Sequence, residues 1–175
     1  MNTTTLNEEL RLRFRNAMAN LPAAVNIVTT AGPAGRCGIT ATAVCSVSDT
    51  PPTLLFCLNR NSSTLSAFAQ NRQICVNVLP GECDDLAKHF AGMTGLSMED
   101  RFAAADWSPD GAPVPRLRDA LVSLTGRVID MTEVGTHAVL YAQIDDIVIR
   151  QDADALVYFD RTFRRVLRQA ESTAA

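Results

Sequence analysis

Apolar and polar positions along this chain change period repeatedly, and most of the changes are into period two. The exception comes first. Leu10, Phe14, Ala17, Met18 and Leu21 recur every three or four residues with Arg11, Arg13 and Arg15 between them, which predicts an amphipathic helix over residues 7–21 ended by Pro22. The β-rich run 25–30 and the turn 31–36, with Gly32, Pro33 and Gly35, then predict a hairpin. Its second arm, 38–48, has strand propensity but carries Ala, Thr, Ser and Cys where a core strand carries Val and Leu. Alternation puts Ile39, Ala41, Ala43 and Cys45 on one face and Thr40, Thr42, Val44 and Ser46 on the other. Small residues of this kind suit either close packing at a barrel bend or a shallow wall for a flat, polar-edged ligand.

Asp49-Thr50-Pro51-Pro52 reads as a stop, and the apolar run 53–58 as a strand buried on both sides. It exits into Asn59-Arg60-Asn61-Ser62-Ser63-Thr64 and a helix over 65–70, with Ser62 and Ser63 as candidate N-caps and the first N–H groups as a candidate anion site. A strand over 74–79 interrupted by Asn77, short helices at 82–90 and 98–102, and a long irregular stretch at 103–115 follow. Irregular stretches of that length are usually functional or interfacial. Residues 120–134 and 138–150 predict two long strands joined by Gly135-Thr136-His137, and 156–159 a last short one before the basic segment 161–168. The expectation is one mainly β domain over residues 1–175, a barrel with a few peripheral helices and with tails at 1–8 and 169–175.

Composition changes this picture little. With 47% hydrophobic and 20% charged residues and a net charge of −3, the chain is an ordinary globular one with nothing that argues for nucleic acid or an anionic membrane. No apolar run reaches bilayer-spanning length and no apolar signal core opens the chain, so the expected compartment is the cytoplasm. Five cysteines without Cys-x-x-Cys spacing predict free thiols, with Cys45, Cys57 and Cys75 as small buried hydrophobes, and two distant histidines make a zinc site improbable.

Candidate chemistry is sparse. No glycine-rich dinucleotide fingerprint, phosphate-binding P-loop or nucleophile elbow is present, and Asp145 and Asp146 point to opposite faces of a strand, as solvated edge charges. His137 in its turn is either an exposed loop histidine or a donor at a ligand edge. The residues alone reach a β-barrel with a polar-lined groove and one anion site.

Several ordered motifs go further. Residues 37–52, Cys75-Val76-Asn77-Val78-Leu79, the segment 89–95 and Gly135-Thr136-His137 together resemble the short-chain flavin reductases that supply reduced flavin to two-component aromatic hydroxylases. The resemblance runs from Arg11 to Phe159. It implies a split β-barrel homodimer of the FMN-binding type that oxidises NADH, or NADPH, and reduces FMN or FAD for an oxygenase partner. Within it, Thr40, Ala41, Thr42, Ala43 and Ser46 would lie along the flavin with Cys57 beside them. Asn59, Asn61, Ser62 and Ser63 would reach the ribityl phosphate, Phe90 and Phe159 would border the stacked rings, and His137 would lie on the nicotinamide side. Many relatives carry Asn at the position of Thr42 and Asp at that of Thr136. The rival class is a flavin-binding or electron-carrier barrel without catalysis.

Overall fold

The computed structural model describes residues 3–109 and 112–169. Helix α1 (Thr3–Ala19) starts earlier than its periodicity predicts, so most of the expected N-terminal tail is helical, while Met1, Asn2 and the expected tail beyond Gln169 lie outside the described residues. Strand β1 (Ala23–Ala24) joins β9 (Ala155–Phe159) and β10 (Thr162–Val166) in a three-stranded antiparallel sheet. Within the basic segment 161–168, Thr162–Val166 is therefore a strand.

The main sheet has seven strands: β2 (Asn26–Thr30), β3 (Cys37–Ala41), β4 (Val44–Asp49), β5 (Pro52–Asn59), β6 (Gln73–Val78), β7 (Val122–Val134) and β8 (His137–Ile149). Their order is β3-β2-β6-β7-β8-β5-β4. β2 and β3 form the expected hairpin. The predicted strand 38–48 is two strands, however, and they lie at opposite edges of this sheet. Only Thr42 and Ala43 connect them, so the sheet curls and brings its two edge strands near one another at that bend, without pairing them. The phase slips there too: Ile39, Ala41 and Val44 all pack on one core cluster, against the strict alternation expected. Curling also needs close backbone approach at the β7–β8 bulge, where a Cβ on Gly126 would fall 2.0 Å from the Gln143 carbonyl oxygen.

Two cores follow from the curl. The concave side holds Val28, Phe56, Phe68, Val76 and Leu140, with Phe68 supplied by α2 (Leu65–Asn71). The convex side holds Ile27, Leu79, Phe90, Phe102 and Trp107 beneath α3 (Asp84–Phe90) and α4 (Met98–Ala103). β2 serves both and is buried throughout. β5, expected to be buried on both sides, buries Leu54, Phe56 and Leu58 and leaves the alternate residues half covered. Pro52 heads β5 opposite Asp49, a strand-start position that needs no ladder donor.

The irregular stretch 103–115 closes the convex core. Trp107 donates its indole N–H to the Phe102 carbonyl (3.0 Å), and the Leu117 N–H is accepted by the Asn77 side chain (2.8 Å). That bond explains a polar residue in an apolar strand: Asn77 is fully buried and also donates to the Ile27 carbonyl (3.0 Å).

Candidate functional site

β5 is the bar on which the candidate site is assembled. The Cys57 N–H donates to the Ala43 carbonyl (3.1 Å), which ties the bend to the strand. Two residues later Asn59 lies opposite His137, the first residue of β8 after the turn Gly135–Thr136. The bend, Cys57, Asn59 and the histidine turn thus follow one another across neighbouring strands. Gly135 adopts φ +56°, and Thr136 Oγ1 lies 2.9 Å from His137 Nδ1.

Asn59 also shapes the loop that follows it. Its carbonyl accepts the Ser62 N–H (2.9 Å) and its side-chain oxygen the Asn61 N–H (2.9 Å), a local Asx-type arrangement. Neither Ser62 nor Ser63 is the N-cap of α2. Thr64 holds that position without a side-chain cap bond, and Ser62 Oγ instead meets Thr64 Oγ1 at 2.8 Å. Ser62, Ser63 and Thr64 all line one cleft, with the Ser62 and Thr64 hydroxyls bonded to each other.

Three clefts border this assembly. The first, of about 580 Å³, runs between Gly38–Ile39, residues 61–64, Phe90–Gly92 and the start of α4, and Arg101 lines it. A second of about 440 Å³ is lined by Arg60, Asn61, Glu133, Gly135 and Thr136. The third and largest, about 720 Å³, separates α1 from the bend, with Arg15, Met18, Thr42, Ala43, Tyr158 and Arg161 on its walls.

The expected site residues divide among these places. Asn61, Ser62, Ser63 and the edge of Phe90 share the first cleft, and Thr42 and Ala43 are exposed in the third. Ala41 is buried, and the Thr40 hydroxyl is already engaged, donating to the Ala87 carbonyl (2.6 Å). Phe90 is fully buried, its ring 5.1 Å from Phe102 and 5.6 Å from Trp107, both edge-on. It is a floor residue and offers no stacking face. Ser46 sits exposed on β4, and Phe159, exposed at the end of β9, lines none of the three clefts, whereas its neighbour Tyr158 lines the largest. Cys45 is exposed on β4, against its expected burial, because β4 is an edge strand. Cys57 is half-buried, and burial raises its thiol pKa, keeping it a neutral neighbour of the bend.

Sequence reading missed Arg101, Arg60, Tyr158 and Arg161. Arg60 lies inside the singled-out segment 59–64 but is read past there, and Arg101 and Arg161 stand in no chemical motif. The chain 91–97 folds back to bring Arg101 to a loop 40 positions earlier, and no period marks that contact. Arg60 is matched locally, paired with Glu133 (2.9 Å) and donating to the Gly135 carbonyl (3.2 Å).

The arrangement offers a backbone platform at the bend, hydroxyls and a guanidinium in an adjoining cleft, and a histidine across β5. It suits a flat ligand with an anionic tail. The flavin reductase like domain matches residues 18–167. This chain belongs to the flavin reductase-like family. A reductase component of 4-hydroxyphenylacetate 3-monooxygenase from Pseudomonas aeruginosa is 56% identical over 87% of this chain and 90% of its own length. An NADH-dependent FMN reductase, RutF, from Enterobacter cloacae is 49% identical over 90% of this chain and 94% of its own. Among solved structures, a flavin reductase of Haemophilus somnus superposes with a TM-score of 0.82 at 43% identity, covering 88% of this chain and 97% of that one. The flavin reductase match spans β1 to β10, so every strand that builds the site lies inside it.

Proposed function

We propose that this protein is an NADH:flavin oxidoreductase that reduces FMN or FAD and releases the reduced flavin to an oxygenase that hydroxylates an aromatic compound. The observation that carries the reading is the succession of bend, Cys57, Asn59 and His137 across β5 and its neighbours. When bound, flavin and nicotinamide would supply the hydride-transfer chemistry. The protein's residues bind and orient. Thr42 and Ala43 give a low wall that a flat ring can approach, since neither carries bulk beyond Cβ branching. Asn61, Ser62 and Ser63 face the anionic tail, and His137, held by Thr136, stands on the nicotinamide side.

The curled sheet supports a split β-barrel, with its two edges joined at Thr42–Ala43. A homodimer is supported by apolar side chains left exposed on α1 and on the outer ends of β7 and β8, among them Leu10, Phe14, Val134 and Ile149. No helix among the described residues is long and apolar enough to cross a membrane, and we place the reaction in the cytoplasm. The deciding experiment titrates the purified protein with FMN and then adds NADH. Flavin-dependent loss of the reduced-nicotinamide absorbance is expected. Flavin binding without turnover would instead identify an electron-carrier barrel.

A further inference from the structure

The turn that carries His137 belongs to neither core. Every residue from Ile129 to His137 is exposed, so the tip of the β7–β8 hairpin has no buried apolar side chain of its own to hold it. Exposed tips of this kind open locally at small cost. A side chain that must meet a ligand in one orientation then depends on polar ties from neighbouring elements. Arg60, the first residue after β5, supplies such ties from three of its nitrogens. Its backbone N–H donates to the Thr136 carbonyl (2.9 Å) and its Nη1 to the Gly135 carbonyl (3.2 Å), while Nη2 pairs with the Glu133 carboxylate (2.9 Å). Both turn residues and the end of β7 are thus gripped from the end of β5.

Stability does not account for this grip. The Arg60 and Glu133 side chains are 46% and 54% exposed, and ion pairs so open to water contribute little to folding. Direction is a different matter. The guanidinium is a rigid planar fork, so a carboxylate on one nitrogen and a carbonyl on the other fix the turn relative to β5. Ladder pairing of Asn59 with His137 holds the backbone there, but it does not orient the imidazole. Thr136 does: its Oγ1 lies 2.9 Å from His137 Nδ1, which leaves Nε2 for a ligand. The carbonyl of that same Thr136 is the one that Arg60 holds. Contacts therefore run without a gap from Glu133 through Arg60 and Thr136 to His137. We infer that Arg60, oriented by Glu133, is a positioning residue for His137 and sets the efficiency of nicotinamide use through the turn. This rests on the proposed flavin reductase activity.

The test varies NADH at saturating FMN, and then FMN at saturating NADH, with melting temperatures recorded for each protein. It compares the parent with Arg60→Gln, Arg60→Lys, Glu133→Gln, His137→Gln and the double variant Arg60→Gln/His137→Gln. In Arg60→Gln, kcat/KM for NADH should fall about tenfold, the order expected when a binding group is misplaced by a fraction of an ångström, while KM for FMN stays within about twofold. Arg60→Lys keeps the charge without the fork and should recover only part of the loss. Glu133→Gln should lose in the same direction and by less. Non-additivity is the decisive reading: once His137 is removed, Arg60→Gln should cost less than about twofold. The cofactor-free protein supplies a second readout. The chain has two histidines, so His89→Gln identifies the His137 imidazole resonance by NMR. Arg60→Gln should sharpen that resonance and move it towards the position of free histidine. Parental NADH use in folded Arg60→Gln or His137→Gln, losses that add in the double variant, or an unmoved His137 resonance overturn the inference. A parent without flavin-dependent NADH oxidation refutes the reductase reading and the role in nicotinamide use with it, while the resonance still decides whether Arg60 orients His137.

Discussion

β3 and β4 are one run of small residues in the sequence and two unlike strands in the molecule. β3 lies under α3: Gly38 and Ala41 are buried, Thr40 is bonded to the helix, and Cys37 is closed off from solvent. β4 leaves through the bend to the far edge of the sheet, where Cys45, Ser46 and Ser48 are exposed. The same residue types therefore do two jobs. On β3 smallness permits contact with the Phe90 ring, and at the bend it leaves room for a ligand. The difference is set by what each strand faces, which composition does not encode.

The largest contrast should appear in thiol chemistry. Burial pushes the Cys37 thiol up to about 11, whereas Cys45 on β4 is open to solvent. At pH 8 only about one Cys37 in a thousand would be ionised on that value. Alkylation followed by peptide mass mapping should find Cys45 modified at least about a hundredfold faster than Cys37. Equal rates would mean that β3 opens as readily as β4. The sign of the pH dependence follows: a thiol raised from about 9 to about 11 favours the folded state below pH 9, and that contribution is lost as pH rises towards 11. Cys75 and Cys83, also raised to about 11 by burial, act in the same direction, so melting temperature should decline across that alkaline window.

Packing should separate the strands next. A Cβ on Gly38 would sit 2.8 Å from Cε1 of Phe90, a ring that cannot swing aside because Phe102 and Trp107 clamp it. Gly38→Ala should cost about 1–3 kcal/mol in denaturant unfolding, as overpacked cores do. Ser46→Ala on β4 should stay within about 0.5 kcal/mol. Between them lies the bend. Thr42→Leu adds bulk at an exposed position, so the fold should keep its stability to within about 0.5 kcal/mol while the FMN dissociation constant rises roughly tenfold. A stable variant with parental affinity would place the flavin elsewhere.

These contrasts also mark what could be read in the chain beforehand. Apolar and alternating runs bounded by turn residues located β2, β5, β6, β7 and β8 to within a residue or two, because such patterns are local. The split at Thr42–Ala43 was not legible: a bend between two edge strands is made of the same Ala, Thr and Ser as a continuous strand. β10 was hidden for a related reason, since Arg164 and Arg165 belong to a short sheet with little apolar signature. Asn59–Ser63 and His137 could be singled out from motifs, yet Arg101 could not, because a fold-back of the chain, and no spacing, brings it to the cleft. Phe90 was legible as an aromatic near the site, but its burial among two other rings is a tertiary fact.

The smallest effect concerns the hydroxyl that distinguishes Thr40 from Thr42. Thr40 donates to the Ala87 carbonyl at 2.6 Å, but that carbonyl also accepts the Ala91 N–H at 2.9 Å within α3 and its continuation. Thr40→Val keeps the branched shape and deletes the donor, leaving an acceptor that still has a partner. The penalty should therefore fall at the lower end of the hydrogen-bond range, about 0.5–1 kcal/mol. Flavin affinity should scarcely move, because the hydroxyl is turned to the helix and not to a cleft. A loss above about 2 kcal/mol would mean that this bond pins α3 to β3, and through Phe90 the floor beneath Gly38. A selective loss of flavin binding would mean that Thr40 releases Ala87 when the ligand arrives, and β3 would then share the role assigned to the bend.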